Sequence, residues 1–266
     1  MSASGGTGDE RAVGAPPGAA LVTGAAHRIG RAIALDLADA GWPVAVHYRR
    51  SADAAAELVE RIEAAGGRAA AVPADLADER EAQGLVPRAA AALGPLACLV
   101  NNASVFEYDS PETATEASWR AHLDVNLRAP FVLTQAFAAQ LPDGVEGNVI
   151  NLLDQRVWKL TPHFTSYTVS KVGLWTLTRT LAMALAPRIR VNGIGPGPTL
   201  ASERQTPEQF AAQCAATPLR RGADPREISN CVRFILSTPA LTGQMIAIDG
   251  GQHLPWPPDP SQNIRE

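Results

Sequence analysis

The chain has 266 residues, a formal net charge of −4 and 46% hydrophobic residues, enough for one large domain with a substantial core. It contains no run of eighteen apolar residues, which excludes a transmembrane helix, and its acidic balance without a basic stripe excludes a nucleic-acid footprint. Cys98, Cys214 and Cys231 lie far apart, so neither a disulfide framework nor a zinc ribbon is expected; a reducing, cytoplasmic setting is the default.

Residues 1–17 carry acidic residues and no apolar segment, and read as a disordered leader rather than a secretory signal. Strand and helix signals then alternate. A strand over 19–23 is followed by a helix over 31–40, and a strand over 44–47 by a helix over 52–65. A weaker strand over 68–73 precedes a helix over 78–93. A clearly buried strand over 96–100 leads into one long helix over 118–140. Next come a strand over 148–153, a helix over 166–186 and a strand over 189–194. A helix over 225–236 and a strand over 245–248 complete the series. Such alternation predicts a single α/β domain over 18–252, a doubly wound parallel sheet of Rossmann type in three α/β/α layers. The stretch 195–215 is the least regular interior segment, and its 199–215 portion reads as a substrate lid. The Pro-rich tail, 253–266, reads as surface chain.

The first strand ends in T-G-A-A-H-R-I-G, Thr23 to Gly30, and opens directly into a helix. Gly24, Arg28, Ile29 and Gly30 there form a candidate pyrophosphate cradle, because backbone N–H groups and the helix dipole favour an anion. The second strand ends in H-Y-R-R-S, His47 to Ser51. An acidic residue at this place would hold a ribose 2′-hydroxyl. Arg49 and Arg50 suit a 2′-phosphate instead, with Ser51 adding a hydroxyl, which points to NADPH rather than NADH. His47, Tyr48, Asp75 and Leu76 complete the cofactor candidates on this side.

Lysine occurs only at 159 and 171, and tyrosine three times. Tyr167 and Lys171, four apart, fall on one face of the helix predicted over 166–186. An adjacent ammonium is expected to lower the phenol pKa and make Tyr167 a usable acid. Further signals surround the pair: Asn101-Asn102-Ala103-Ser104 after the fourth strand, Asn126 in the long helix, Pro196-Gly197 after the sixth strand and Asp249-Gly250-Gly251 after the last.

Taken together, these motifs resemble the short-chain dehydrogenase/reductase family across about residues 18–252. The resemblance implies that Tyr167 is the proton donor, that Lys171 holds the nicotinamide ribose, and that Asn126 supports a water relay. It also implies cofactor contacts from Asn102, Ala103, Ser104, Pro196, Gly197 and Thr199, and a homotetramer, or sometimes a dimer, built on the two long helices.

Two positions depart from that pattern. The family has a serine thirteen residues before the tyrosine; here the residue is Asp154. An ionised carboxylate repels the oxyanion that forms when a ketone is reduced, whereas a carboxyl group suits a C=N bond whose nitrogen must gain a proton. Arg28 replaces the middle glycine of the turn. Both departures resemble pteridine reductases and bacterial dihydromonapterin reductases. That likeness implies a pterin held near Arg28, Ser104 and Phe106, with Asp154 and Tyr167 partners in proton delivery. The expected activity is NADPH-dependent reduction of a dihydropterin or dihydrofolate. The alternatives are a generic reductase of a ketone, sugar or 3-oxoacyl substrate, and a non-catalytic NADP-sensing protein. Trp158 belongs either to the substrate pocket or to a subunit contact. His122 and His163 have no partner spacing and read as structural or exposed. No metal, nucleic-acid or membrane partner is expected.

Overall fold

The computed structural model describes residues 16–254. The proposed leader and tail therefore lie almost entirely outside the described residues. Seven parallel strands form one sheet: β1 (Ala19–Val22), β2 (Val44–Tyr48), β3 (Ala69–Pro73), β4 (Leu96–Asn101), β5 (Gly147–Leu152), β6 (Ile189–Pro196) and β7 (Met245–Ile248). Their order is β3-β2-β1-β4-β5-β6-β7. The chain thus winds outward from β1 to β3, then crosses to β4 and winds the other way. Between β1 and β4 the following connections diverge, and this switch point is where an open α/β sheet leaves a crevice.

The helices are α1 (Arg28–Asp39), α2 (Ala52–Ala64), α3 (Glu79–Leu93), α4 (Glu116–Leu123), α5 (Ala129–Gln140), α6 (Thr165–Leu185), α7 (Pro207–Ala215) and α8 (Pro225–Leu236). Apolar side chains alternate across the pleat, so each face of the sheet has its own core. Leu21, Leu99 and Val149 join Leu85, Leu133 and Phe137 on one face. Val22, Val46 and Ile150 join Ile33, Leu58 and Ile228 on the other. Strands β1, β4 and β5 are buried throughout, as expected for a sheet covered on both sides.

Two elements differ from the sequence reading. The long helix predicted over 118–140 is interrupted by a π-helical segment, Asp124–Arg128. The apolar pattern runs straight through it, so periodicity could not reveal the extra residue. Such single-turn widenings are often found at functional sites, and this one carries Asn126. The irregular stretch 195–215 holds a nine-residue helix, α7. Thr206 caps it by accepting from the Gln209 amide, and Gln209 reaches back to the Thr206 amide, so this is a capping box around Pro207. Among the described residues no helix is long and apolar enough to cross a membrane.

Phe137 is fully buried, and a Cβ at Gly147 would meet its ring edge at 2.9 Å, so the packing here has no slack. Phe137→Ala is expected to lower unfolding free energy by about 3–5 kcal/mol, read from chemical denaturation.

Candidate active site

The carboxyl ends of the strands open onto a cavity of about 1140 Å³, more than a drug-sized ligand requires. At one end lies the glycine turn. Gly24 has φ +62°, and a Cβ at Gly30 would stand 2.3 Å from the Gly24 carbonyl oxygen and 2.5 Å from Asn102 Nδ2. No side chain caps the first turn of α1, because His27 at that position makes no capping hydrogen bond. Backbone amides of a helix start therefore face the cavity, the arrangement that suits a phosphate. Arg28 itself sits at φ +54°, in the left-handed region that favours the glycine which the family resemblance leads one to expect there. Its guanidinium reaches the carbonyls of Ala201 (2.8 Å) and Leu200 (3.0 Å), tying the turn to the predicted lid.

His47 holds the turn from below. Its Nδ1 accepts from the Gly24 amide at 2.9 Å and its Nε2 lies 3.1 Å from the Ala74 carbonyl. Burial is the main reason that its pKa drops from 6.5 to about 4. Arg49 lines the cavity and makes no ion pair among the described residues. Ile29, Asp75, Leu76, Asn102, Ala103, Ser104, Pro196, Gly197 and Thr199 line it too. Tyr48, Arg50 and Ser51, proposed alongside them, lie outside the lining; Ser51 stands at the start of α2.

At the other end Asp154, Tyr167 and Lys171 come together on the cavity wall. The Tyr167 hydroxyl donates to Asp154 Oδ2 at 2.9 Å. Lys171 Nζ donates to the Leu152 carbonyl at 2.8 Å, and its pKa falls to about 8 through burial, with the Asp154 charge opposing. The expected lowering of the phenol pKa does not hold in this geometry. Burial, reinforced by the charge of Asp154, pushes Tyr167 well above its ordinary value, and the opposing cation is Arg156 rather than Lys171.

Asn126 stands one layer back, outside the cavity lining. From the π-helical segment it accepts from the Val105 amide (2.8 Å), donates to the Val105 carbonyl (2.9 Å) and donates to Ser170 Oγ (3.1 Å). It thereby joins the loop bearing Phe106 to helix α6. Phe106 lines the cavity with both Phe164 and Tyr167 against it: Phe164 stacks at 4.5 Å and Tyr167 meets it edge-on at 4.6 Å. Arg204 lies 5.3 Å from the Phe106 ring and pairs with Glu107. A ligand stacked on Phe106 thus shares that ring with protein groups that sequence reasoning did not place there.

Of the two expected alternatives for His122, structural or exposed, the structure shows the first: it is fully buried. Its Nε2 accepts from the Glu107 amide at 3.0 Å and its Nδ1 lies 2.7 Å from Ser166 Oγ. Ser166 in turn donates to Asp109. This chain of contacts ties the Phe106 loop to the start of α6, and no local spacing announces it. Trp158 is 45% exposed and packs edge-on against His253, outside the cavity lining. His163 is exposed. Among the described residues no cluster of three or more His, Cys, Asp or Glu could hold a metal.

A family model described as enoyl-(acyl carrier protein) reductase matches residues 24–253. The chain belongs to the short-chain dehydrogenase/reductase family. Among solved structures it resembles the FolM alternative dihydrofolate reductase 1 of Brucella suis in complex with NADP, with 49% identity, a TM-score of 0.88 and coverage of 92% of this chain and 98% of that one. It is 39% identical over 240 residues to an uncharacterized oxidoreductase of Methylorubrum extorquens, covering 87% of this chain and 96% of the relative. It is also 35% identical over 243 residues to a 3-oxoacyl-[acyl-carrier-protein] reductase of Staphylococcus epidermidis, covering 88% and 98%. In this chain the Tyr167–Lys171 pair and the Gly24–Gly30 turn stand at the two ends of one cavity.

The histidine beneath the turn gives a pH signature. Because the folded pKa of His47 is about 4 against an ordinary 6.5, the unfolded chain gains a proton over that interval and the native chain does not. Stability contributed by neutral His47 is complete above pH 6.5 and falls as pH drops towards 4, by up to about 3 kcal/mol. Denaturation midpoints measured across that window should fall less steeply in His47→Gln than in the wild-type protein.

Proposed function

We propose that the protein is an NADPH-dependent reductase of a dihydropterin, with dihydrobiopterin, dihydromonapterin and dihydrofolate as the substrate class. The observation that carries this reading is the Asp154 carboxylate on the cavity wall, hydrogen-bonded to the Tyr167 hydroxyl at 2.9 Å. A carboxylate at that place disfavours an oxyanion and favours an acceptor that gains a proton. The likeness to a dihydrofolate reductase solved with NADP supports it.

The residues present fit the dinucleotide. Gly24 and Gly30 leave room for close backbone approach, the uncapped start of α1 offers its amides to the pyrophosphate, and Arg49 is the cation for a 2′-phosphate. Ile29, Asp75, Leu76, Asn102 and Ala103 would flank the nucleotide, Pro196, Gly197 and Thr199 would flank the nicotinamide, and Lys171 would hold its ribose. When bound, the nicotinamide supplies a hydride. The protein's own part is to stack the acceptor ring near Phe106, to hold it among Arg28, Ser104 and Asp154, and to deliver a proton from the Tyr167 hydroxyl, with Asp154 orienting that hydroxyl. Asn126 maintains the link between the Phe106 loop and α6. The assembly we envisage is a homotetramer in the cytoplasm. Exposed Val169 and Met183 on α6 (43% and 74%) support an interface on that helix.

A second reading, reduction of a 3-oxoacyl substrate, is favoured by the 35% identity to the staphylococcal reductase. The test is NADPH consumption against dihydropterins, dihydrofolate and a 3-oxoacyl thioester in parallel. Turnover of the pterins well above the thioester supports the proposal; the reverse order overturns it. Arg49→Ala is expected to raise the KM for NADPH at least about tenfold while changing that for NADH little, because the lost ion pair involves only the 2′-phosphate.

A further inference from the structure

Arg156 lines the same cavity but has no role in the function proposed above, yet it touches the groups that matter most. Its backbone amide donates to Asp154 Oδ1 at 2.8 Å, and its Nη1 donates to Asp154 Oδ2 at 3.2 Å. Oδ2 is also the acceptor for the Tyr167 hydroxyl. All three hydrogen bonds of the carboxylate are therefore donated to it, and it donates none. The guanidinium is held in place by aromatic faces, with its Cζ 5.2 Å from the Phe164 ring and 5.5 Å from the Phe106 ring. The two side chains of the ion pair are only 17% and 14% exposed, so solvent screens their attraction less than at the surface.

We propose that Arg156 is a positioning residue that keeps Asp154 a negatively charged acceptor, so that the proton leaving this pair comes from Tyr167 and not from the carboxyl group. The inference rests on the reductase reading only in taking Tyr167 as the donor. In the step concerned the Tyr167 O–H bond breaks and an N–H bond forms on the acceptor. The hydride reduces the acceptor carbon, the dinucleotide is oxidised, and solvent later returns a proton to the phenolate. That phenolate forms beside a carboxylate, and two like charges in one site repel. Arg156 is the cation in contact with the pair.

The other charged or titratable groups nearby take other partners. Lys171 on α6 bonds to the Leu152 carbonyl, and His122 on α4 faces Tyr167 with ring centroids 5.9 Å apart and bonds to Ser166. Arg204 pairs with Glu107, and Asp109 accepts from Ser166 and Ser118. Among the described residues none of these hydrogen-bonds to Asp154.

The test uses Arg156→Met and Arg156→Lys in the full chain. In the protein alone, difference infrared spectra at mildly acidic pH should show a protonated-carboxyl stretch in Arg156→Met that is absent from the wild type, from Arg156→Lys and from the Arg156→Met/Asp154→Asn double variant. With any acceptor the wild type reduces, Arg156→Met should lower kcat roughly tenfold or more, leave the KM for NADPH little changed, and add a pH dependence below neutrality that the double variant lacks. Arg156→Lys should recover most of the rate. If Arg156→Met does not fold, Arg156→Gln serves the same comparison. No new carboxyl band together with an unmoved pH profile overturns the proposal, as does a lysine variant impaired as severely as the methionine one. A wild-type protein that reduces no pterin would sink the functional reading, while the infrared comparison would still decide the role of Arg156.

Discussion

The proposed chemistry of this cavity depends on one hydrogen bond, from the Tyr167 hydroxyl to the Asp154 carboxylate. Where the resemblance to short-chain reductases leads one to expect a hydroxyl donor, this chain presents an acceptor. A buried phenol beside a negative charge is a poor acid, because its conjugate base would share a site with a second anion. The arrangement is workable only if positive charge lies close by. Lys171 supplies some, but it is turned to the Leu152 carbonyl; Arg156 touches the carboxylate directly.

The fold explains why these groups meet. Asp154 follows β5, Tyr167 and Lys171 lie on the first turns of α6, and the Phe106 loop follows β4. These elements end at the same edge of the sheet. Their mutual position is fixed by polar side chains outside the cavity lining. Asn126 bridges Val105 and Ser170, and His122 bridges the Glu107 amide and Ser166. Each removes a buried backbone or hydroxyl group from the unsatisfied state, which is costly in a dry interior. At the opposite end His47 does the same for the Gly24 amide.

Much of this was legible in the sequence, and the parts that were not have identifiable causes. The strands and helices announced themselves through apolar runs and glycine turns, because a sheet covered on both faces imposes them. Tyr167 and Lys171 stood out by spacing, and Asp154 as a departure from the family pattern that the chain resembles. The π-helical turn at Asn126 did not, since one extra residue per turn leaves the apolar pattern intact. Phe164 entered the aromatic cluster unannounced, because a non-glycine residue at φ +59° is set by tertiary contacts rather than by composition. His122 found its partners 15 and 44 positions away, beyond any local motif. Arg156 had a visible signal, lying two positions after an Asp that caps a short 3-10 turn, but only the folded contacts show that it serves the same carboxylate as Tyr167.

The central claim is that a carboxylate at position 154 selects a substrate that takes up a proton over one that develops an oxyanion. Steady-state kinetics of Asp154→Ser on a dihydropterin and a 3-oxoacyl thioester tests it most directly. The account predicts that kcat/KM falls by about a hundredfold for the pterin, the scale of general-acid catalysis by a Tyr167 hydroxyl that is no longer oriented, and holds or rises for the thioester. Undiminished pterin turnover in that variant would contradict it.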